Sequence, residues 1–300
     1  MKQLPKPTIE DILEQKELCE GHYSELFARY RLDEEFYELE FGNRLNIPIE
    51  YAASAIVLPT GRDDVDTYLD HISLGNARIH ANKKGTRDMD LVEQEMMRKF
   101  WLGLLYDNLV RADISPLRVC GKHFALHGLG VMGTFWDADM WPDKPLQGDT
   151  ETEEEYSARL DQWRAETHFS IPIVLRAINP ANILVDPGYG GRLYVIERKE
   201  RTAFEVERQW PKWKRSAGGK SSTKVECLSY WDMKYRCELV GGEPVLRIKG
   251  GVVEHKYGFI PHTLIESGLG NLAKDAAPHK RYVGILRYMF DLLVSESRSY

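Results

Sequence analysis

The sequence predicts an α+β protein: a helical N-terminal part, then a mixed or antiparallel β-rich region, then a long helix. Three observations point there. Apolar residues recur at three- and four-residue steps through most of the chain up to Gly128, the pattern of helices that bury one stripe. From position 171 the pattern becomes short β-branched and aromatic runs bounded by Pro or Gly. After Arg281 the helical period returns.

The first helix opens at Thr8, an N-cap followed by Ile9, Glu10 and Asp11, and Ile12, Leu13, Leu18, Leu26 and Phe27 carry it towards Phe41-Gly42. Past a loop around Pro48 and Pro59, Asp63, Asp64 and Asp66 precede Tyr68, Leu69 and Ile72, where acids complement a helix N-terminus. The longest periodic run is Met89, Val92, Met96, Met97, Phe100, Trp101, Leu104, Leu105 and Leu109. It predicts a helix with a wide buried stripe that stops before Pro116. The pattern resumes from Leu117 through Val119, Phe124 and Leu126 to Gly128, a residue suited to the C′ position, and VMGTFW then reads as a strand. Positions 1–141 therefore form a mainly helical part. Residues 142–170 change character: Pro142, Pro145 and Gly148 lead into TETEEEYSARLDQWRAE, where Thr152 and Glu155 make a capping box for an acidic helix on an insertion.

Positions 171–270 are β-rich. IPIVLRAI, NILVDP and RLYVIERKE read as strands, and Thr202 with Glu205 opens a short helix that ends at Trp210-Pro211, before the linker SAGGKSSTK. VECLSYW, KYRCELV and PVLRIK follow, the last two joined across Gly241-Gly242, a turn suited to a hairpin. Residues 271–300 begin the long helix, with Val283, Leu286, Met289, Phe290 and Leu293 on one face. That run has no C-cap, so the reading frame is expected to continue past Tyr300.

Composition narrows the function classes. The 300 residues, 43% hydrophobic and 11% aromatic, suffice for a packed core. No secretory signal opens the chain, and no apolar run approaches the roughly 18 residues a membrane span needs. Cys19, Cys120, Cys227 and Cys237 lack CxxC spacing and read as buried thiols rather than zinc ligands or disulfides. Forty Lys and Arg against 46 Asp and Glu give a net charge of −6, unlike a protein that grips many phosphates.

Several short motifs suggest chemistry and meet a plainer structural reading. Gly268-Leu269-Gly270 followed by Ala273 fits a dinucleotide fingerprint with Asp291 about twenty residues on. Asp291 however lies inside a helical run, not at a strand end, and Pro278 interrupts the helix that would hold the pyrophosphate. AGGKSS resembles the end of a phosphate loop, but Lys214 stands where its first glycine belongs. Asp137 and Asp139 could share a cation, though the sequence offers no third ligand. His123 and His127 stand one helical turn apart, but Phe124 occupies the place of a metalloprotease glutamate. One basic and aromatic cluster remains: Arg208, Trp210, Lys212, Trp213, Lys214, Arg215 and Lys220. It reads as a base-stacking or phosphate surface, or as a helix end whose tryptophans anchor in the neighbouring layer. No recognisable catalytic set and no cofactor site emerge.

The succession INPANILVDPGYGGRLYVIERKERTAFEV, VECLSYWDMKY, HKYGFIPHTLIESGLG and YVGILRYMFDLLVSESRSY resembles the wing region of a tailed-phage portal protein over about residues 42 to 300. The shared features are an Asn-Pro step before a β-hairpin, a charged strand leading into a short capped helix, and a Tyr-Gly-x-x-Pro strand exit into a long helix. The resemblance implies a non-enzymatic virion protein, assembled in the host cytoplasm as a homo-oligomeric ring, a dodecamer in the family. It implies terminase, the major capsid protein and neck or adaptor proteins as partners, and double-stranded DNA passing through without tight binding. The clip and crown of such proteins have no counterpart here. On this reading Gly268 and Gly270 form a turn, and Arg208, Lys212, Lys214 and Arg215 are candidates for a subunit boundary or a DNA-facing surface. The alternatives are a nucleotide-dependent enzyme using Gly268–Ala273 and a nucleic-acid-binding module using the cluster at 208–220.

Overall fold

The computed structural model describes residues 5–46, 56–71, 95–100, 102–105, 114–137, 143–148, 151–168, 172–188, 192–215, 219–246, 250–273 and 275–298. Helix α1 (Ile9–Tyr37) starts at a reciprocal capping box: the Asp11 amide donates to the Thr8 hydroxyl at 3.1 Å, and the Thr8 amide to the Asp11 carboxylate at 2.7 Å. Ile12, Cys19, Tyr23, Leu26, Phe27, Tyr30, Asp33 and Phe36 trace its buried side, while Leu18 faces solvent. Helix α2 (Thr60–His71) follows, then α3 (Pro116–His127), which takes proline in its first turn and ends at Gly128 with φ 75°. That left-handed residue turns the chain directly into β1 (Leu129–Trp136). The acidic helix α4 (Glu153–His168) has its own Thr152–Glu155 capping box.

The remaining strands are β2 (Ile173–Ile178), β3 (Ile183–Val185), β4 (Tyr194–Thr202), β5 (Lys224–Asp232), β6 (Tyr235–Val240), β7 (Glu243–Pro244), β8 (Val252–Glu254) and β9 (His262–Glu266). Helix α5 (Ala203–Gln209) links β4 to β5. Among the described residues the strands form two antiparallel sheets. The smaller has the order β2-β1-β9, and the larger β3-β4-β5-β6-β7 with β8 also paired to β6. Gly241 and Gly242, at φ 58° and 85°, form the two-residue turn that sets Val240 opposite Glu243. Strand β9 lies on an edge, and Pro261 just before it offers a carbonyl to the Thr134 amide without needing to donate. The α+β class expected from the sequence is the observed one, helices first and antiparallel sheets after.

Helix α1 ties the molecule together. Its first turns pack Ile12, Cys19, Tyr23 and Phe27 against residues of both sheets, among them Val131, Leu184, Ile196 and Tyr230. Its last turn joins a second core with Val65, Leu126, Leu286 and Leu293. Burial of such side chains contributes about 1.5–3 kcal/mol each.

The structure corrects the sequence reading in four places. No long helix occupies 271–300. Among the described residues none precedes Pro278, and α6 (Pro278–Arg281) is a single turn. The chain is extended at Tyr282, makes a 3₁₀ turn at Leu286–Tyr288, and becomes helical again only in α7 (Phe290–Arg298). The cause is a backbone-to-backbone contact with the end of α3. The Ile285 amide donates to the Ala125 carbonyl at 2.8 Å, and a Cβ on Gly284 would lie 1.8 Å from the Leu126 oxygen. A continuous helix cannot make that contact. Val283, Leu286 and Leu293 are buried as their spacing predicts, so the period recorded burial but not the path. Second, residues 95–100 and 102–105 are helical, yet Met96 and Met97 are 60% and 53% exposed, and Phe100 and Leu102 are exposed as well. A stripe in the sequence needs a facing surface to bury it; Met89, Val92, Trp101 and Leu109 lie outside the described residues. Third, PVLRIK contributes only Pro244 to β7; Val245 and Leu246 follow the strand, and 247–249 are outside the described residues. Finally, β8 is a short strand that the sequence reading lacks.

Candidate functional site

The basic and aromatic cluster is built on α5. Thr202 caps this helix reciprocally with Glu205, and the Trp210 amide closes it on the Val206 carbonyl at 2.8 Å. Trp210 and Trp213 lie half-buried against Val206, Cys227 and Val240, the inner side of β5 and β6. The Arg201 guanidinium sits 5.8 Å from the Trp210 ring centre. Arg208, Lys212 and Lys214 project into solvent and have no acidic partner among the described residues. Arg215 is committed: it donates to Glu207 at 3.1 Å and to the Ser221 hydroxyl at 2.8 Å. Lys220 is exposed on the turn before β5. A cleft of about 740 Å³ runs between this segment and the end of the β6–β7 hairpin, lined by Trp210, Lys212, Trp213, Lys214, Glu243 and Leu246. Anchored rings beneath outward-pointing cations suit attraction of an acidic surface better than base stacking, which needs a free ring face.

The two glycines of the fingerprint serve packing. Past β9, the Ser267 amide donates to the Gly128 carbonyl at 3.0 Å, and Gly268 turns the chain at φ 72°. A Cβ on Gly270 would lie 2.2 Å from the Arg281 carbonyl oxygen, and the Asn271 amide donates to the Lys280 carbonyl at 2.8 Å. Among the described residues no helix starts between 268 and 277, and Asp291 stands in the first turn of α7. A dinucleotide site needs a helix N-terminus after the loop and an acid at a strand end.

The other motifs resolve similarly. His123 and His127 stack with ring centres 5.8 Å apart. Burial lowers His123 to about 4, with the neighbouring His127 and Lys122 adding to the effect. His127, fully buried, lies between carboxylates, with Nδ1 3.6 Å from Asp33 and Nε2 3.5 Å from Glu34. Burial alone would lower its pKa, but those two acids outweigh burial and raise it. The Asp137 amide donates to the Pro172 carbonyl at 2.9 Å, and Asp139 lies outside the described residues. Among the described residues no group of three or more His, Cys, Asp or Glu is placed to hold a metal ion. The four cysteines are buried and unbridged; burial raises all four thiols, Cys237 to about 12. In AGGKSS, residues 217 and 218 lie outside the described residues, and the chain past Lys220 turns into β5, not a helix. No described helix is long and apolar enough to cross a membrane.

Two buried ionic groups escaped the sequence reading. Asp33, at 0% exposure on α1, pairs with Arg287, whose Nη1 also donates to the carbonyls of His279 at 3.2 Å and Tyr282 at 3.1 Å. Between the sheets, Glu197 of β4 pairs with Arg176 of β2 and with Lys199 at 2.6 Å. Burial would raise the Glu197 carboxyl, but the adjoining His262 ring, Arg176 and Lys199 hold it at about 2. The signal available in sequence was weak: an acid on the apolar face of α1, at Asp33, and a charged residue inside the run YVIERKE. The chain matches no family model and no curated protein.

Proposed function

We propose that this chain is a structural virion protein of the portal type, a subunit of a homo-oligomeric ring through which DNA is packaged and ejected, and not an enzyme. One observation carries the reading: the order and pairing of the elements between Asn179 and β9. The Asn179 side chain accepts from the Ala181 amide at 2.9 Å and caps the Pro180–Asn182 turn, after which β3 and β4 form a hairpin. Strand β4 runs into the capped helix α5 and returns as β5; after β8 the chain leaves the larger sheet, and β9 pairs with β1 in the smaller one before a proline-led entry to the final helices. That follows the order the portal resemblance implies, with two points of difference: the final helix is broken, and Tyr257-Gly258-x-x-Pro261 leads into strand β9 rather than out of a strand into a helix.

The charge distribution supports the same reading. Residues 151–168 carry six acids against two arginines, while Arg208, Lys212 and Lys214 stand exposed elsewhere on the chain without an acidic partner among the described residues. Opposite surfaces on one subunit suit head-to-tail contacts that close into a ring. We place the basic stretch, Arg208, Lys212, Lys214 and Arg215, at or near a subunit boundary. A net charge of −6 is compatible with a channel that lets DNA slide. Terminase, the major capsid protein and neck or adaptor proteins would be the partners, a dodecamer the assembled state and the virion the location. Negative-stain microscopy of the full-length protein expressed alone tests the proposal. Closed rings with a central channel are expected, and a strictly monomeric protein across wide ranges of concentration and salt would overturn it.

A further inference from the structure

A cavity of about 470 Å³ opens between α1, the β3–β4 connection, β9 and α6, away from the basic stretch. Three polar groups in its lining have no hydrogen-bond partner among the described residues. Tyr23 and Tyr282 are only 6% and 7% exposed, yet neither hydroxyl makes a hydrogen bond among the described residues. The half-buried Arg192 guanidinium likewise has no carboxylate or carbonyl acceptor among the described residues. Burial disfavours its charged form, and the nearby Tyr282 offsets part of that effect. A guanidinium taken partly out of water without an acceptor is destabilising.

The acids of the cavity cannot fill that role as they stand. Asp186 accepts from the amides of Gly188 at 3.0 Å and Leu193 at 3.1 Å, one to each oxygen. Both Glu266 oxygens are taken by Arg281, at 2.9 and 2.7 Å. Asp275 is exposed. What the cavity offers is therefore one uncompensated cation beside two phenolic donors, with its inner carboxylates already satisfied.

We propose that this cavity binds an oxyanion, a carboxylate or phosphate group, held by the Arg192 guanidinium and by the hydroxyls of Tyr23 and Tyr282. The guanidinium fork matches either group in two parallel hydrogen bonds. A cationic ligand would meet Asp186 and Glu266 with their oxygens already occupied, and a neutral one would leave Arg192 without a counter-charge.

Calorimetric titration of the whole chain with sodium phosphate and, separately, with sodium acetate at constant ionic strength tests it. Saturable one-to-one binding of at least one anion is expected; phosphate alone would identify a phosphate carrier as the ligand, acetate alone a carboxylate. Arg192→Gln should weaken binding by about tenfold or more, and Tyr23→Phe and Tyr282→Phe by about three- to tenfold each. Lys212→Gln with Lys214→Gln should leave it unchanged. Flat titrations with both anions, an Arg192→Gln affinity equal to the unsubstituted chain's, or loss of binding in the lysine variant would overturn the proposal. Should Arg192→Gln fail to fold, the tyrosine variants decide, and unchanged affinity in both would overturn it.

Discussion

Replacing Arg287 by methionine removes the only buried counter-charge in direct contact with Asp33 among the described residues, since His127 stands off at 3.6 Å. The arginine also withdraws from the carbonyls of His279 and Tyr282. Leaving one partner of a buried ion pair unpaired costs about 3–5 kcal/mol, and methionine preserves much of the stem volume, so packing adds little. The loss should depend on pH through His127. Its folded pKa is raised above the ordinary 6.5, so its stabilising contribution is complete below that value and fades as pH rises through the folded value. In the variant the imidazolium can still neutralise Asp33 in mild acid, whereas above its folded pKa nothing does. The cost of Arg287→Met should therefore be smaller at about pH 5.5, where the imidazolium is present, than at a pH above the folded His127 value. Glu34, held below the ordinary carboxylate range by the His127 ring beside it, loses its contribution only at lower pH and does not confuse the comparison. Urea unfolding followed by tryptophan fluorescence at the two pH values measures both numbers. Asp33→Asn combined with Arg287→Met should recover part of the loss, because no unpaired charge then stays buried. A loss under about 1 kcal/mol at both pH values, or a larger loss in acid, would refute the reasoning.

Three further outcomes are expected. Gly284→Ala, which drives a methyl group to 1.8 Å from the Leu126 carbonyl oxygen, should destabilise by about 3 kcal/mol or more and lower Tm by about 2–4 °C for each kcal/mol; thermal unfolding by circular dichroism measures it, and a Tm unchanged from the parent chain's would mean the α3 contact is not made. Calorimetry with NAD, ATP and GTP should show no affinity at Gly268–Ala273, and Gly270→Val should disturb folding through its clash with Arg281; micromolar nucleotide binding abolished by that substitution in a folded protein would overturn this. Charge reversal at Lys212, Lys214 and Arg215 should slow ring assembly at low salt, and about 1 M salt should slow the parent chain towards the same rate; light scattering follows both, and equal rates at low salt would remove the basic stretch from the interface.

Local chemistry was legible wherever its partners lie within a few residues. Thr8 with Asp11, Thr152 with Glu155 and Thr202 with Glu205 could be read as caps because both partners sit in one turn, and Gly241-Gly242 as a hairpin because two left-handed residues in sequence permit little else. The strands from β2 to β6 were readable for the same reason, their β-branched runs being interrupted by Pro and Gly. The basic stretch was also visible as a run of residues, whereas the cavity around Arg192 was not: Tyr23, Arg192 and Tyr282 come from three distant parts of the chain.

What the sequence by itself determined is the class, helices first and antiparallel strands after, together with most caps and turns, because these follow from periods and contacts that span a few residues. Tertiary structure alone decided the rest. It broke the final helix, since Gly284 meets the end of α3 backbone to backbone, and it paired Asp33 with Arg287 across nearly the whole chain. It also left Met96 and Met97 in solvent although their spacing suits a buried stripe. An apolar period states which side chains would gain from burial; whether a surface arrives to bury them, and along what path, is set by elements far away in sequence.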